Sequence, residues 1–324
     1  MNKKTIDIQR DAAMCFELPK KCGKIEELQD INGHLYAIGT TGIYEIVLPD
    51  DIDPERTNPN IKPMCKEILD VGFSEPFVAR IIGQVFEFLQ ILPQSVSHKM
   101  LITAFDITMS INQMAEILID LTDQTTNIIK QIDLRNQLNQ TVHISQVSSL
   151  ELKTKAFILE GHKILKQILQ LLLSASDIDK YMLFSKLSEI TQNDNVKKII
   201  EGHSEPTIEF IWELRNAIEH PSNNNFIKVN NICVSANNKI TPPTWEWSYL
   251  SWTKNTKKSE QKTSLLDDLN IIIHNLLVLT EDALLCLALH KAYCFIPFEI
   301  AYNSNSDKHR YTIKYVFPSI KTDR

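Results

Sequence analysis

The stretch LRNAIEHPS, residues 214–222, holds an arginine, an asparagine and a histidine close together: Arg215, Asn216 and His220. A guanidinium can grip two phosphate oxygens at once and neutralise charge that builds on them. An imidazole with a pKa near neutrality can accept and return a proton, an effect worth about 10²–10⁴-fold in rate. An amide beside them can orient the ring or bond the phosphate directly. Asn216 and His220 are four residues apart, as are Arg215 and Glu219, so each pair is adjacent on a helix. Arg215 and His220 are five apart and would diverge on an unbroken helix. Pro221 disfavours the α conformation at His220, so the chain is expected to leave the helix there and swing the imidazole back towards the guanidinium. A plainer account stays open: Arg215 and Glu219 as a surface ion pair, and His220 as a dipole-stabilised helix end. Another Arg-Asn pair, Arg135-Asn136, has no histidine at the matching distance.

With those residues in view, LRNAIEHPS, late in a helical body, resembles the signature of the HEPN superfamily. There an Arg-x4–6-His motif, often with Asn after the Arg, lies on a compact bundle of helices. The resemblance implies a metal-independent endoribonuclease that cleaves RNA by 2′-oxygen attack, in a toxin or antiviral-defence role. It also implies a homodimer with two motifs facing each other, and an antitoxin or activating partner as a further candidate. Arg215 and His220 would be catalytic and Asn216 an orienting residue, with no cofactor and no metal. The match is tight over six residues, 215–220, and covers the rest only by class. The alternative from a different class is a non-catalytic helical dimer that binds RNA, a nucleotide or a partner protein.

Trp245, Trp247 and Tyr249 alternate and so share one face of a strand. They either pack on the helical body or form a stacking platform for unpaired bases, with Lys254, Lys257, Lys258 and Lys262 beside them for phosphates. His162 sits with Ile158, Leu165 and Leu169 and reads as a satisfied core histidine; Glu160 is a polar residue that a cleft could use. His274 and Asn275 read as a solvated helix face.

Net charge is −6 and pI about 5.9, so any nucleic acid must be held by a local patch. Six cysteines, Cys15, Cys22, Cys65, Cys233, Cys286 and Cys294, form no CxxC pair and no metal-ligand spacing with histidine. The N-terminal lysines precede no apolar run, and the apolar segment 269–292 carries Glu281 and Asp282, which makes it a poor membrane span. These features predict a cytoplasmic chain with reduced thiols.

The elements that must position the motif are mainly helical. Ile107, Ile111, Met114, Leu118, Leu121, Ile128 and Ile132 recur at three- and four-residue spacings and predict a long helix over about 100–138. Further helices are expected at about 149–174, 178–191, 194–202, 205–220 and 263–291, the fourth of these capped by Ser204. HLYAIG and IYEIVLP around Gly39–Gly42 predict a hairpin, and residues 64–92 predict one or two helices. TKNTKKSEQKTS reads as a lysine-rich loop. The expected fold is mainly α, in effect an all-α helical bundle of HEPN type. Small peripheral β elements are expected at the N-terminus, at about 225–252 and at the C-terminus. The expected regions are 1–60 (hairpin and linker), 61–292 (helical domain with the β insertion) and 293–324 (short strands).

Overall fold

The computed structural model describes residues 17–31, 33–89, 92–137, 144–235, 239–251, 256–292, 299–302 and 313–316. Cys15, Cys294, Lys254 and the Asn237–Asn238 turn lie outside the described residues. Two compact units emerge: residues 1–108 with 291–324, and residues 109–290.

In the first unit, β1 (Ile25–Ile31), β2 (His34–Gly39), β3 (Ile43–Val47) and β4 (Met64–Leu69) form a four-stranded antiparallel sheet in sequence order. The expected hairpin is β2–β3, with Leu35 opposite Ile46 and Ala37 opposite Tyr44. Gly72 lies where two backbones cross: a Cβ there would stand 2.2 Å from the Gly39 carbonyl oxygen, the same oxygen that accepts the Phe73 N–H at 3.0 Å. One turn, α1 (Pro49–Ile52), follows β3. Beyond β4, α2 (Pro76–Val78) passes through a π turn (Ala79–Gly83) into α3 (Gln84–Leu89). The 44-residue α4 (Gln94–Gln137) begins in this unit, and its Phe105 ring lies 5.6 Å from that of Tyr36 on the sheet.

The second unit contains the rest of α4, then α5 (Leu150–Ala175), α6 (Phe184–Ile190) and α7 (Asp194–His203). A π turn (Ser204–Glu209) joins α7 to α8 (Phe210–Glu219). After α8 come β5 (Phe226–Asn230), β6 (Cys233–Val234), β7 (Ile240–Thr241), β8 (Thr244–Leu250), β9 (Lys257–Ser264) and α9 (Leu265–Lys291). The strands form a three-stranded antiparallel sheet, β5-β8-β9, and a β6-β7 pair; β10 (Glu299–Tyr302) and β11 (Ile313–Val316) pair in the other unit. The core of the second unit is where four helices meet. A Cβ on Gly161 of α5 would stand 3.5 Å from Met114 of α4, Ile211 of α8 and Leu276 of α9. The apolar stripe read from the sequence supplies this core: Ile111, Met114, Leu121 and Ile132 of α4 are buried.

The architecture corrects the expected fold class. Helix predominates among the described residues, but eleven strands pair into antiparallel sheets of four, three, two and two, so the fold is neither all-α nor a HEPN-like bundle with minor β trim. Two segments account for much of the difference. MCKEIL, expected as helix, is β4; it completes the edge of β3 through cross-strand partners, Lys66 to Glu45 at 3.3 Å and the Tyr44 hydroxyl to Glu67 at 2.8 Å. KKSEQKTS, expected as loop, is β9, an edge strand whose charged, largely exposed side chains hide the period-two pattern that marks strands with one buried face. Ser204 does not cap a new helix. The helical path runs on through the π turn, whose wider winding accommodates Pro206, a residue that a regular α interior would reject.

α9 is long and apolar enough to cross a membrane by length and composition. In this structure 56% of its most apolar window is buried, with Leu269, Leu276 and Leu284 in the core of the second unit, the arrangement of a core helix.

Candidate functional site

α8 ends where the sequence says it should. His220 has φ −134° and ψ 62°, outside the helix, and its N–H still donates to the Asn216 carbonyl at 2.7 Å. Pro221 then feeds a tight turn in which Ser222 and Asn225 exchange backbone hydrogen bonds, and β5 begins.

Trp212, Arg215, Asn216 and Glu219 fall on one face of α8, three or four residues apart. Arg215 Nη1 donates to Asn216 Oδ1 at 3.2 Å, and Asn216 Nδ2 donates to Glu213 Oε2 at 3.2 Å. Arg215 Nη2 forms an ion pair with Glu219 Oε2, and the same oxygen lies 4.0 Å from His220 Nε2. The motif therefore assembles as a chain, Glu213–Asn216–Arg215–Glu219–His220. Glu219 is its link between guanidinium and imidazole. His220 is the open end, with 77% of its side chain exposed. Burial and the nearby Glu209 carboxylate raise the Glu213 pKa, opposed by the Asn216 amide.

α5 lines the other side. Its His162 ring lies edge-on to Trp212, with centroids 4.7 Å apart. His162 is only 5% exposed, and its Nε2 has no hydrogen-bond partner. Arg215 Nε is also buried and unpartnered. Burial depresses the His162 pKa to about 4, and the cations of Lys166 and Arg215 add to the effect while Glu219 opposes it. The ring is neutral at neutral pH. The reading of His162 as a satisfied core histidine is thus half right: it is in the core, but one nitrogen is not satisfied.

On the aromatic strand face Trp245 and Tyr249 are buried and Trp247 is half-buried. Trp245 is fully buried and its indole N–H donates to Asp268 Oδ2 at 2.7 Å. Trp247 stacks on Tyr249 at 5.5 Å and meets the edge of Phe210 of α8 at 5.0 Å. This corrects the idea of Trp245 as a base-stacking platform, because no face of its ring is open to a nucleotide. Lys258 is ion-paired with Glu205 on the π turn, and Lys257 is exposed on the edge strand. Tyr249 faces a carboxylate-rich strip: burial, then Glu209, Glu205 and Glu213, raise its pKa.

Sequence reading missed the coupling of His162 to Arg215 and the bridging position of Glu219. The available signals were Gly161, which leaves room for α8 to approach α5, and Trp212, one turn before Arg215. Among the described residues no group of three or more His, Cys, Asp or Glu side chains is placed to hold a metal ion, and Cys22, Cys65, Cys233 and Cys286 are unbridged. Comparison with family models, with curated proteins and with solved structures finds no match.

Proposed function

We propose that this chain is an endoribonuclease that uses a HEPN-type motif, with Arg215 and His220 as catalytic residues and Asn216 as the orienting residue. The observation that carries the reading is the place of Glu219 Oε2. One anionic oxygen is ion-paired with the Arg215 guanidinium and lies 4.0 Å from His220 Nε2. A phosphodiester oxygen that replaced it would meet both groups that strand cleavage needs.

The chemistry follows from the residue types. The RNA 2′-oxygen loses its proton and attacks the adjacent phosphorus; the bond to the 5′-oxygen breaks, and that oxygen takes up a proton. The products are a 2′,3′-cyclic phosphate and a 5′-hydroxyl. Arg215 neutralises the charge that grows on the non-bridging oxygens. His220 performs one proton transfer, and His220 of a second copy performs the other in a homodimer. Asn216 holds the guanidinium through its Oδ1, 3.2 Å from Arg215 Nη1. No step needs an external nucleophile or a metal. In this reading the protein acts in the cytoplasm, as a toxin or an antiviral effector, with RNA as substrate and an antitoxin or activator as a further partner.

A second reading is favoured by one specific feature: Arg215 is already neutralised by Glu219, and His220 stands largely in solvent. A chain that binds RNA or a nucleotide without cutting it would tolerate that arrangement. Incubation with total RNA in EDTA, beside Arg215→Ala and His220→Ala, separates the two. Cleavage products ending in 2′,3′-cyclic phosphate from wild type alone support the enzyme. RNA binding with no cleavage supports the binder.

A further inference from the structure

Two buried nitrogens on neighbouring helices have no partner, His162 Nε2 on α5 and Arg215 Nε on α8, and the Arg215 charge acts on the His162 ring. Buried polar atoms in folded proteins are nearly always bonded, so two orphans in one place call for a physical explanation. The two are complementary. Arg215 Nε–H can only donate, and a neutral imidazole with its proton on Nδ1 presents Nε2 as an acceptor. Their carriers are held close: His162 packs edge-on against Trp212 at 4.7 Å, and Arg215 follows Trp212 by three residues on the same face of α8. The guanidinium is instead ion-paired through Nη2 with Glu219.

Resting on the proposed phosphate role of Arg215, we propose that His162 is a positioning residue of this site. When the Glu219 carboxylate gives way to a phosphate, His162 Nε2 takes the hydrogen bond of Arg215 Nε–H and fixes the guanidinium plane. The fork of Nη1 and Nη2 is then aimed outward for a bidentate grip on two phosphate oxygens. Asn216, at 3.2 Å from Nη1, limits the swing on the other side. His162 touches no substrate; it acts through Arg215.

The test begins without RNA. Glu219→Gln releases the guanidinium, and the Arg215 Nε–H resonance, assigned by its loss in Arg215→Lys, is followed by 15N NMR. In Glu219→Gln this proton is expected to shift downfield and exchange slowly with water. In Glu219→Gln with His162→Phe, which keeps a ring against Trp212, it is expected to revert and exchange at least ten-fold faster. The same resonance in both variants overturns the proposal. The second arm is cleavage of an RNA oligonucleotide: His162→Phe is expected to raise KM about ten-fold with kcat changed less than three-fold, and His162→Gln, which restores an acceptor, to recover most of the loss. Equal KM for wild type and His162→Phe also overturns it. A wild type that cleaves no RNA refutes the nuclease reading by itself, and the NMR comparison still decides the role of His162.

Discussion

Arg215 and Glu219, one turn apart on α8, are ion-paired, so the guanidinium to which we assign the phosphate role is held by a carboxylate. On the proposed reading, an RNA phosphate competes with that carboxylate for the same donors. Removing its charge should make the competition easier. Glu219→Gln is expected to tighten binding of an uncleavable 2′-deoxy-substituted RNA oligonucleotide by about three- to ten-fold, measured by fluorescence anisotropy. A partly exposed i, i+4 pair contributes only about 0.3–0.5 kcal/mol, so thermal stability should hardly move.

His220 stands clear of the core, with its side chain 77% exposed. Surface substitutions of that kind change stability by about ±0.5 kcal/mol. His220→Ala is therefore expected to melt as wild type does while losing at least 100-fold in RNA cleavage rate. A melting shift with cleavage intact would make His220 a helix end and nothing more.

The His162 pKa, pushed to about 4 mainly by burial, ties the folded state to pH. The unfolded chain binds this proton near pH 6.5 and the folded chain resists it until about 4, so the contribution to stability is full above about 6.5. It is lost as pH falls through that window. Urea unfolding at pH 7 and at pH 4.5 should show a larger drop for wild type than for His162→Phe, by about 1–3 kcal/mol. Comparing the two proteins cancels the carboxylates that they share.

Trp245 is a structural residue, fully buried and bonded to Asp268. Trp245→Phe leaves the Asp268 acceptor without its donor and opens space in the core, and is expected to cost about 1–3 kcal/mol by chemical denaturation. RNA binding by the folded variant should equal that of wild type, which an anisotropy titration checks.

How much the sequence disclosed depended on whether one face of an element carried the signal. α4, α5 and α9 each bury a stripe at helical spacing, and their limits fall within a few residues of those expected, except that α4 starts at Gln94, ahead of the expected 100. β4 and β9 gave no such signal, because their place is fixed by hydrogen bonding to a neighbouring strand and by cross-strand pairs such as Lys66 with Glu45. The same distinction applies at the site. Arg215, Asn216 and His220 are neighbours in sequence and could be found there. His162 lies more than 50 positions away and joins them only because α5 and α8 pack together at Gly161.

The π turn at Ser204–Glu209 has a consequence for the face that α8 presents. A wider turn amounts to one additional residue within the rod, and one residue corresponds to about 100° of rotation. Excising a single position there would turn every later side chain about the axis, carrying Arg215 away from α5 and Phe210 away from the aromatic strand. The compass bearing of the arginine is therefore decided at a proline-bearing irregularity two turns upstream, where no reactive group resides.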